Sequence, residues 1–208
     1  MKRSRRGHTA HDTVRSVDLL RRHGFKVGIQ LMPGLPGDSK DRFMDTMRDV
    51  ATLHPDMVRL YPTVVLKGTE LARWYDEKRY RPLQLEEAVT ICRDSCVLLE
   101  SRGIPVIRMG LLAAPSLLKE GRIIAGPWHS AFGFLVRSKI HQEKISPYLP
   151  GPGSFSRIKL RVPMNEIPLV RGYKNQGLSV IEGKTGDRIM GVIPDGSIPE
   201  GRVRAEGL

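Results

Sequence analysis

Apolar positions along residues 9–109 recur in two alternating rhythms, one helical and one of strands. Val14, Val17, Leu19 and Leu20 follow helical spacing. Thr9-Ala-His-Asp12 ahead of them has the spacing of a capping box, with Asp12 in place of the usual Glu or Gln. Gly24 stands where a glycine closes a helix. Phe25 to Met32 is then mostly apolar and holds Val27 and Ile29, as an inner parallel strand does. Pro33, Gly34, Pro36 and Gly37 stop that strand, because two positions lack a donor and two tolerate unusual dihedrals. Asp38 or Ser39 caps the next helix, with Phe43, Met44, Met47, Val50 and Leu53 on one face. His54-Pro55-Asp56 ends it, and Met57 to Tyr61 is a second strand. Pro62 to Gly68 reads as a loop, and Thr69 caps a short helix carrying Leu71, Trp74 and Tyr75. Pro82 breaks the chain ahead of a long helix that runs to about Arg102 and stops at Gly103; Ile104 to Met109 is a third strand.

Helix, strand, helix, strand, helix, strand predicts an α/β parallel sheet with right-handed crossovers. Three strands are too few for a closed barrel or a doubly wound sheet. The first helix has no strand before it, so the chain is expected to begin in the middle of a domain. Residues 110–150 are less regular, with a turn at Gly126-Pro127-Trp128-His129 and a helix from Ala131 to Ile140. Pro147 to Gly153 (PYLPGPG) reads as a linker. After it Arg157 to Val162 alternates as a strand, Pro163 to about Ile181 includes a helix or turn, and Arg188–Ile193 and Arg202–Ala205 are short strands. The expected divisions are therefore 1–146, the linker 147–153, and a small β-rich domain over 154–208.

Gln30 is the one polar side chain inside the first strand. Ligands of open α/β sheets and barrels sit outside the carboxyl ends of the strands. Gln30 and the loop after it are thus either a small-molecule site or a core amide followed by a plain turn.

Charge widens the functional question. The formal charge is +12 and the pI about 10.1, which favours a polyanionic partner such as RNA, or phosphorylated ligands, over a merely solvated basic face only if the cations cluster. Arg157, Lys159, Arg161, Arg171, Lys174, Lys184 and Arg188 supply the tail with such cations. No apolar run approaches the roughly 20 residues of a membrane span, and the basic start MKRSRR is followed by no apolar signal region. Two cysteines give no disulfide framework and fit a reducing, cytoplasmic compartment.

Arg6-Gly7-His8-Thr9, then VGIQLMPGLPG, then Pro55-Asp56 with VRLYPTVVLKGTEL resemble the radical S-adenosylmethionine enzymes, nearest to the catalytic subunit of Elongator and its short bacterial relatives. The resemblance covers roughly residues 5–145, and the tail is similar to the family's small carboxy-terminal domain. It implies the C-terminal half of a partial (β/α) TIM-like barrel. It also implies that Arg6 grips the carboxylate of S-adenosylmethionine, that Gln30 contacts the ribose hydroxyls, and that the backbone at Val64 lies against the adenine. A planar guanidinium suits a carboxylate, and an amide both donates and accepts. Tyr61, Lys67 and Trp128-His129 fall toward the substrate side, and no catalytic residue is assigned. Transfer RNA is the implied partner.

The family holds a four-iron four-sulfur cluster on three cysteines spaced CxxxCxxC. Here Cys92 and Cys96 copy the first spacing only, with Leu99 at the third position. One turn apart in the long helix, they read as two small buried hydrophobes, and the histidines show no zinc spacing. The expectation is a portion of a radical S-adenosylmethionine enzyme, inactive alone. It would bind S-adenosylmethionine weakly or not at all, with the 4Fe-4S cluster confined to a full-length parent. The alternatives are a basic nucleic-acid-binding module, and a half-domain that assembles with an upstream radical S-adenosylmethionine half-chain.

Overall fold

The computed structural model describes residues 7–111, 115–118 and 121–208. The chain separates into two compact units, Met1–Phe132 and Gly133–Leu208.

In the first unit, helix α1 (Ala10–Arg22) starts on the expected capping box: Thr9 accepts from the Asp12 amide, and Asp12 accepts from the Thr9 amide at 2.8 Å. Strand β1 (Gly28–Leu31) is shorter than the apolar run that announces it. Phe25 is 62% exposed, and the Val27 amide donates at 2.7 Å to the Asp56 carboxylate rather than to a strand. Helix α2 (Lys40–Thr52) is capped by Ser39 and buries Phe43, Met47, Val50 and Ala51. Strand β2 (Met57–Leu60), a two-residue strand β3 (Val65–Leu66), helices α3 (Glu70–Asp76) and α4 (Leu85–Glu100), and strand β4 (Val106–Met109) follow. Helix α5 (Pro115–Leu118) and strand β5 (Ile123–Ala125) complete the described elements of this unit ahead of α6. β3 and β5 pair antiparallel where only loop and irregular chain are expected, since two or three residues carry no readable period.

The main sheet has the order β1-β2-β4 and is parallel throughout. Helices α2 and α4 pack together, and their apolar faces and Ile29, Val58, Leu60 and Val106 of the strands are buried. Met47, Leu60 and Leu99 are fully enclosed, each worth ~1.5–3 kcal/mol.

The loop after β1 is clamped. Asp38 accepts from the Gly34 amide at 3.2 Å, and Tyr80 donates its hydroxyl to the Gly34 carbonyl at 2.6 Å. Gly34 has φ +84, and a Cβ there would stand 2.8 Å from Leu83 Cδ1, so both its conformation and its neighbour require glycine. Burial first, and the Asp38 charge second, push the Tyr80 phenol up to about 12.

Helix α6 (Phe132–Ile145), which belongs to the second unit from Gly133 on, runs further than the expected Ala131–Ile140 and puts Ile145 into this unit's core. Strand β6 (Arg157–Val162) leads through α7 (Ile167–Arg171) and α8 (Gln176–Thr185) to β7 (Arg188–Pro194) and then β8 (Arg204–Gly207). β6 is central, parallel to β7 and antiparallel to β8. Ile158, Leu160 and Val162 face a core that includes Val170 and Ile181. The tail is thus a mixed α/β unit, not the small β-rich domain expected: the stretch after Pro163 folds into helices that cover one face of the sheet. Within PYLPGPG, the Gly153 amide donates to the Thr185 carbonyl at 2.8 Å.

Two outcomes are expected. Among the described residues β1 is paired on one side only, and Lys26 is the one charge in Phe25–Met32. Sedimentation should therefore show association that rises with concentration, and hydrogen exchange should be fast at the β1 amides facing away from β2. A monomer at every concentration with all β1 amides protected would refute this. For Tyr80, an absorbance titration should find one tyrosine ionising near 12, and Tyr80→Phe should remove it and cost about 1 kcal/mol. Because the folded value is the higher one, stability present below pH 10 should fall as pH rises from about 10 to 12, and less so in the variant.

Candidate functional site at the carboxyl end of the parallel sheet

The strand ends and the loops beyond them form one stitched surface. The Tyr61 amide donates to the Leu31 carbonyl at 2.8 Å, Thr63 to Pro33 at 3.0 Å, and Gly110 to Leu60 at 2.9 Å. Pairing therefore continues past the strands and holds the PGLPG loop beside the segment that carries Val64.

Gln30 is exposed, on the sheet face opposite Ile29, so it is not a core amide. In register beside it stands Arg59, and beside Arg59 stands Arg108. Arg59 lies between Val58 and Leu60, both fully buried, and so projects to the open face as well. Neither arginine was singled out from the sequence. Only the register across separate strands makes them neighbours, and no periodicity reports that.

Val64 is half-buried. Gly126 (φ +108) presses its backbone onto this segment, where a Cβ would stand 3.0 Å from both the Thr63 carbonyl and Val64 Cα. The Thr63 hydroxyl and the Trp128 indole N–H are buried without a hydrogen-bond partner among the described residues. Tyr61 directly follows β2, and Lys67 is exposed with its amide on the Arg122 carbonyl. His129 Nδ1 accepts from the Ala131 amide at 3.0 Å, beside the start of α6. Arg6 lies outside the described residues. A depression of about 550 Å³ is lined by Tyr75, Lys78, Arg81 and Gln84 together with Tyr80 and Gly126, and contains none of the Gln30 row.

Cys92 and Cys96 are fully buried on α4, with Cys96 Sγ 3.3 Å from Met109 Sδ. Burial, and then the neighbouring Cys96, push the Cys92 thiol far up, the opposite of what a thiolate ligand needs. These residues do not fit an iron-sulfur cluster. Among the described residues no group of three His, Cys, Asp or Glu could hold a metal ion, and no helix is long and apolar enough to cross a membrane.

The second unit carries a basic strand face. Arg157, Lys159 and Arg161 alternate with the buried side of β6, and Arg157 is in register with Arg188. Arg161 pairs with Glu206 and Asp195. Arg171, Lys174 and Lys184 lie on the crossover segments, so the tail cations singled out from the sequence do not share one face.

Residues 55–142 match the family described as Radical_SAM C-terminal domain. The tRNA uridine(34) acetyltransferase of Methanocaldococcus jannaschii is 38% identical over 90 residues, 42% of this chain and 17% of that protein. Elongator complex protein 3 of Homo sapiens is 32% identical over 89 residues, 41% of this chain and 16% of that protein. The chain thus spans about a sixth of the length of these curated relatives. The structure of archaeal Methanocaldococcus infernus Elp3 with an N-terminal deletion matches with TM-score 0.57 at 28% identity, covering 68% of this chain and 33% of that one. Over residues 55–142 the chain is similar to the Radical_SAM C-terminal domain, and it resembles the carboxy-terminal region of Elongator-type radical S-adenosylmethionine proteins.

Proposed function

We propose that this chain is part of an Elongator-type radical S-adenosylmethionine enzyme that acts on transfer RNA, its first unit being the C-terminal half of a partial (β/α) barrel and residues 154–208 its small carboxy-terminal domain. The observation that carries this reading is Gln30: an exposed amide at the carboxyl end of a parallel strand, directly before a clamped glycine-proline loop. In this reading Gln30 holds the ribose hydroxyls and the Val64 backbone lies against the adenine, with the Thr63 hydroxyl within the same segment. Arg6 takes the carboxylate, the role that the resemblance gives it. S-adenosylmethionine with a four-iron four-sulfur cluster supplies radical chemistry. The cluster's thiolates come from outside these 208 residues, an upstream half-chain included, because Cys92 and Cys96 are unsuited. On its own the chain then lacks the redox step. Transfer RNA enters through the name of the archaeal relative and is supported by the Arg157–Arg188 face.

Calorimetry should give weak S-adenosylmethionine binding, since chelation to the cluster is missing. Gln30→Ala should weaken it about tenfold, the worth of one good hydrogen bond. Tight binding untouched by Gln30→Ala and Arg6→Ala would overturn the site. Separately, transfer RNA affinity should fall steeply with salt, and replacing Arg157 and Arg188 by alanine should lower the slope of log K against log salt by about two. A flat salt response or no binding would remove the RNA part of the reading.

A further inference from the structure

We infer that Arg59 and Arg108, next to Gln30, form a phosphate site on the open face of the β1-β2-β4 sheet, and that its occupant is a phosphodiester of the RNA substrate; this rests on the RNA reading above. The three side chains follow one another across adjacent strands, Gln30 in register with Arg59 and Arg59 with Arg108. Backbones of neighbouring strands lie about 4.8 Å apart, so the row puts two guanidiniums side by side, next to the Gln30 amide that faces the ribose in the reading above.

This arrangement depends on a bulge. Val58 is in register with Val106, so an unbroken ladder would set Arg59 opposite Ile107 and turn Arg108 toward the helical core. The register instead shifts between Val58 and Arg59. The extra residue, Ile107, is left 51% exposed, and Arg108 arrives beside Arg59. The shift also turns Met109 to the helical side, where its sulfur meets Cys96. The sheet thus interrupts its own pairing and leaves an isoleucine exposed in an arrangement that sets two like charges next to each other.

Among the described residues no carboxylate pairs with those charges. Neither arginine forms an ion pair among the described residues, whereas Lys40, Arg48, Arg73, Arg79 and Arg81 of the same unit all do. An anion on this face would be bound by both. A planar carboxylate satisfies one guanidinium fork; a tetrahedral phosphate offers oxygens to two forks that approach from neighbouring strands. The position at the carboxyl end of a parallel sheet is where substrate reaches the chemistry in this architecture.

The test measures transfer RNA binding to the 208-residue chain by fluorescence anisotropy across a salt series, for the wild type, Arg59→Ala, Arg108→Ala, the double Arg59→Lys/Arg108→Lys variant and Arg157→Ala/Arg188→Ala. Thermal unfolding of each variant checks the fold, and exposed side chains of this kind should leave it unchanged. Each single alanine variant should bind about tenfold more weakly at low salt and lower the salt slope by about one, while the double lysine variant keeps the slope because it keeps the charges. If the wild type binds and the tail variant loses affinity while Arg59→Ala and Arg108→Ala match the wild type, the phosphate site is wrong and the RNA reading stands. If the alanine variants lose affinity with an unchanged slope, the pair acts through structure and the phosphate site is again wrong. If the wild type binds no transfer RNA, the RNA reading falls and the phosphodiester assignment falls with it.

Discussion

Strand β2 is paired on both sides, and that pairing governs the first unit. Val58 and Leu60 have no exposure, which fixes which face of the strand meets the helices. Strand residues alternate, so burying these two forces Arg59 to the other face. A slip by one residue would bury an unpaired guanidinium and expose two apolar side chains, a cost of several kcal/mol against a domain stability of about 5–15 kcal/mol. Burial of Ile29 does the same for Gln30 on β1. The chemistry of the open face is in this sense a consequence of the core.

The loops inherit their precision from the same pairing. Thr63 reaches Pro33 only because Tyr61 already sits on Leu31, and the Tyr80 hydroxyl then fixes Gly34 from the far side. Two aspartates finish the ladder where the backbone cannot. Asp56 takes the Val27 amide before β1, and Asp38 takes the Gly34 amide after it. A site built on strand ends and braced loops holds its side chains more closely than one on a free loop.

What the sequence discloses follows the range of the interactions involved. Caps act within four residues, so Thr9 and Thr69 mark the starts of α1 and α3, and of the two candidates Asp38 and Ser39 it is Ser39 that caps α2. The helical stripe of α2 is legible for the same reason. The extent of β1 is not, because its start is decided by Asp56, from another part of the chain. The tail misleads in a different way. Its three strands are legible, but QGLSVIEGKT of α8 carries glycines that weaken a helical pattern, and tertiary burial of Ile181 overrides them. Gln30 stands out because a lone amide in an apolar run is a local signal. Arg59 and Arg108 do not, since a bulge between two strands is invisible in either one.

Net charge alone cannot separate a solvated surface from a binding one, but the pairing of individual cations can. Arg161 in the second unit answers to Glu206 and Asp195 and is part of the sheet's own structure. Arg157 and Arg188, in register on the same sheet, form no ion pair among the described residues. In the first unit the helical cations Arg48 and Arg73 meet neighbouring carboxylates, whereas Arg59 and Arg108 stand together on a strand face without one among the described residues. Surface ion pairs within a helix add little stability, so their presence only marks charges already satisfied. Like charges set directly opposite each other on a sheet are destabilising. In the reading proposed above, a bound polyanion would lift that cost in both units.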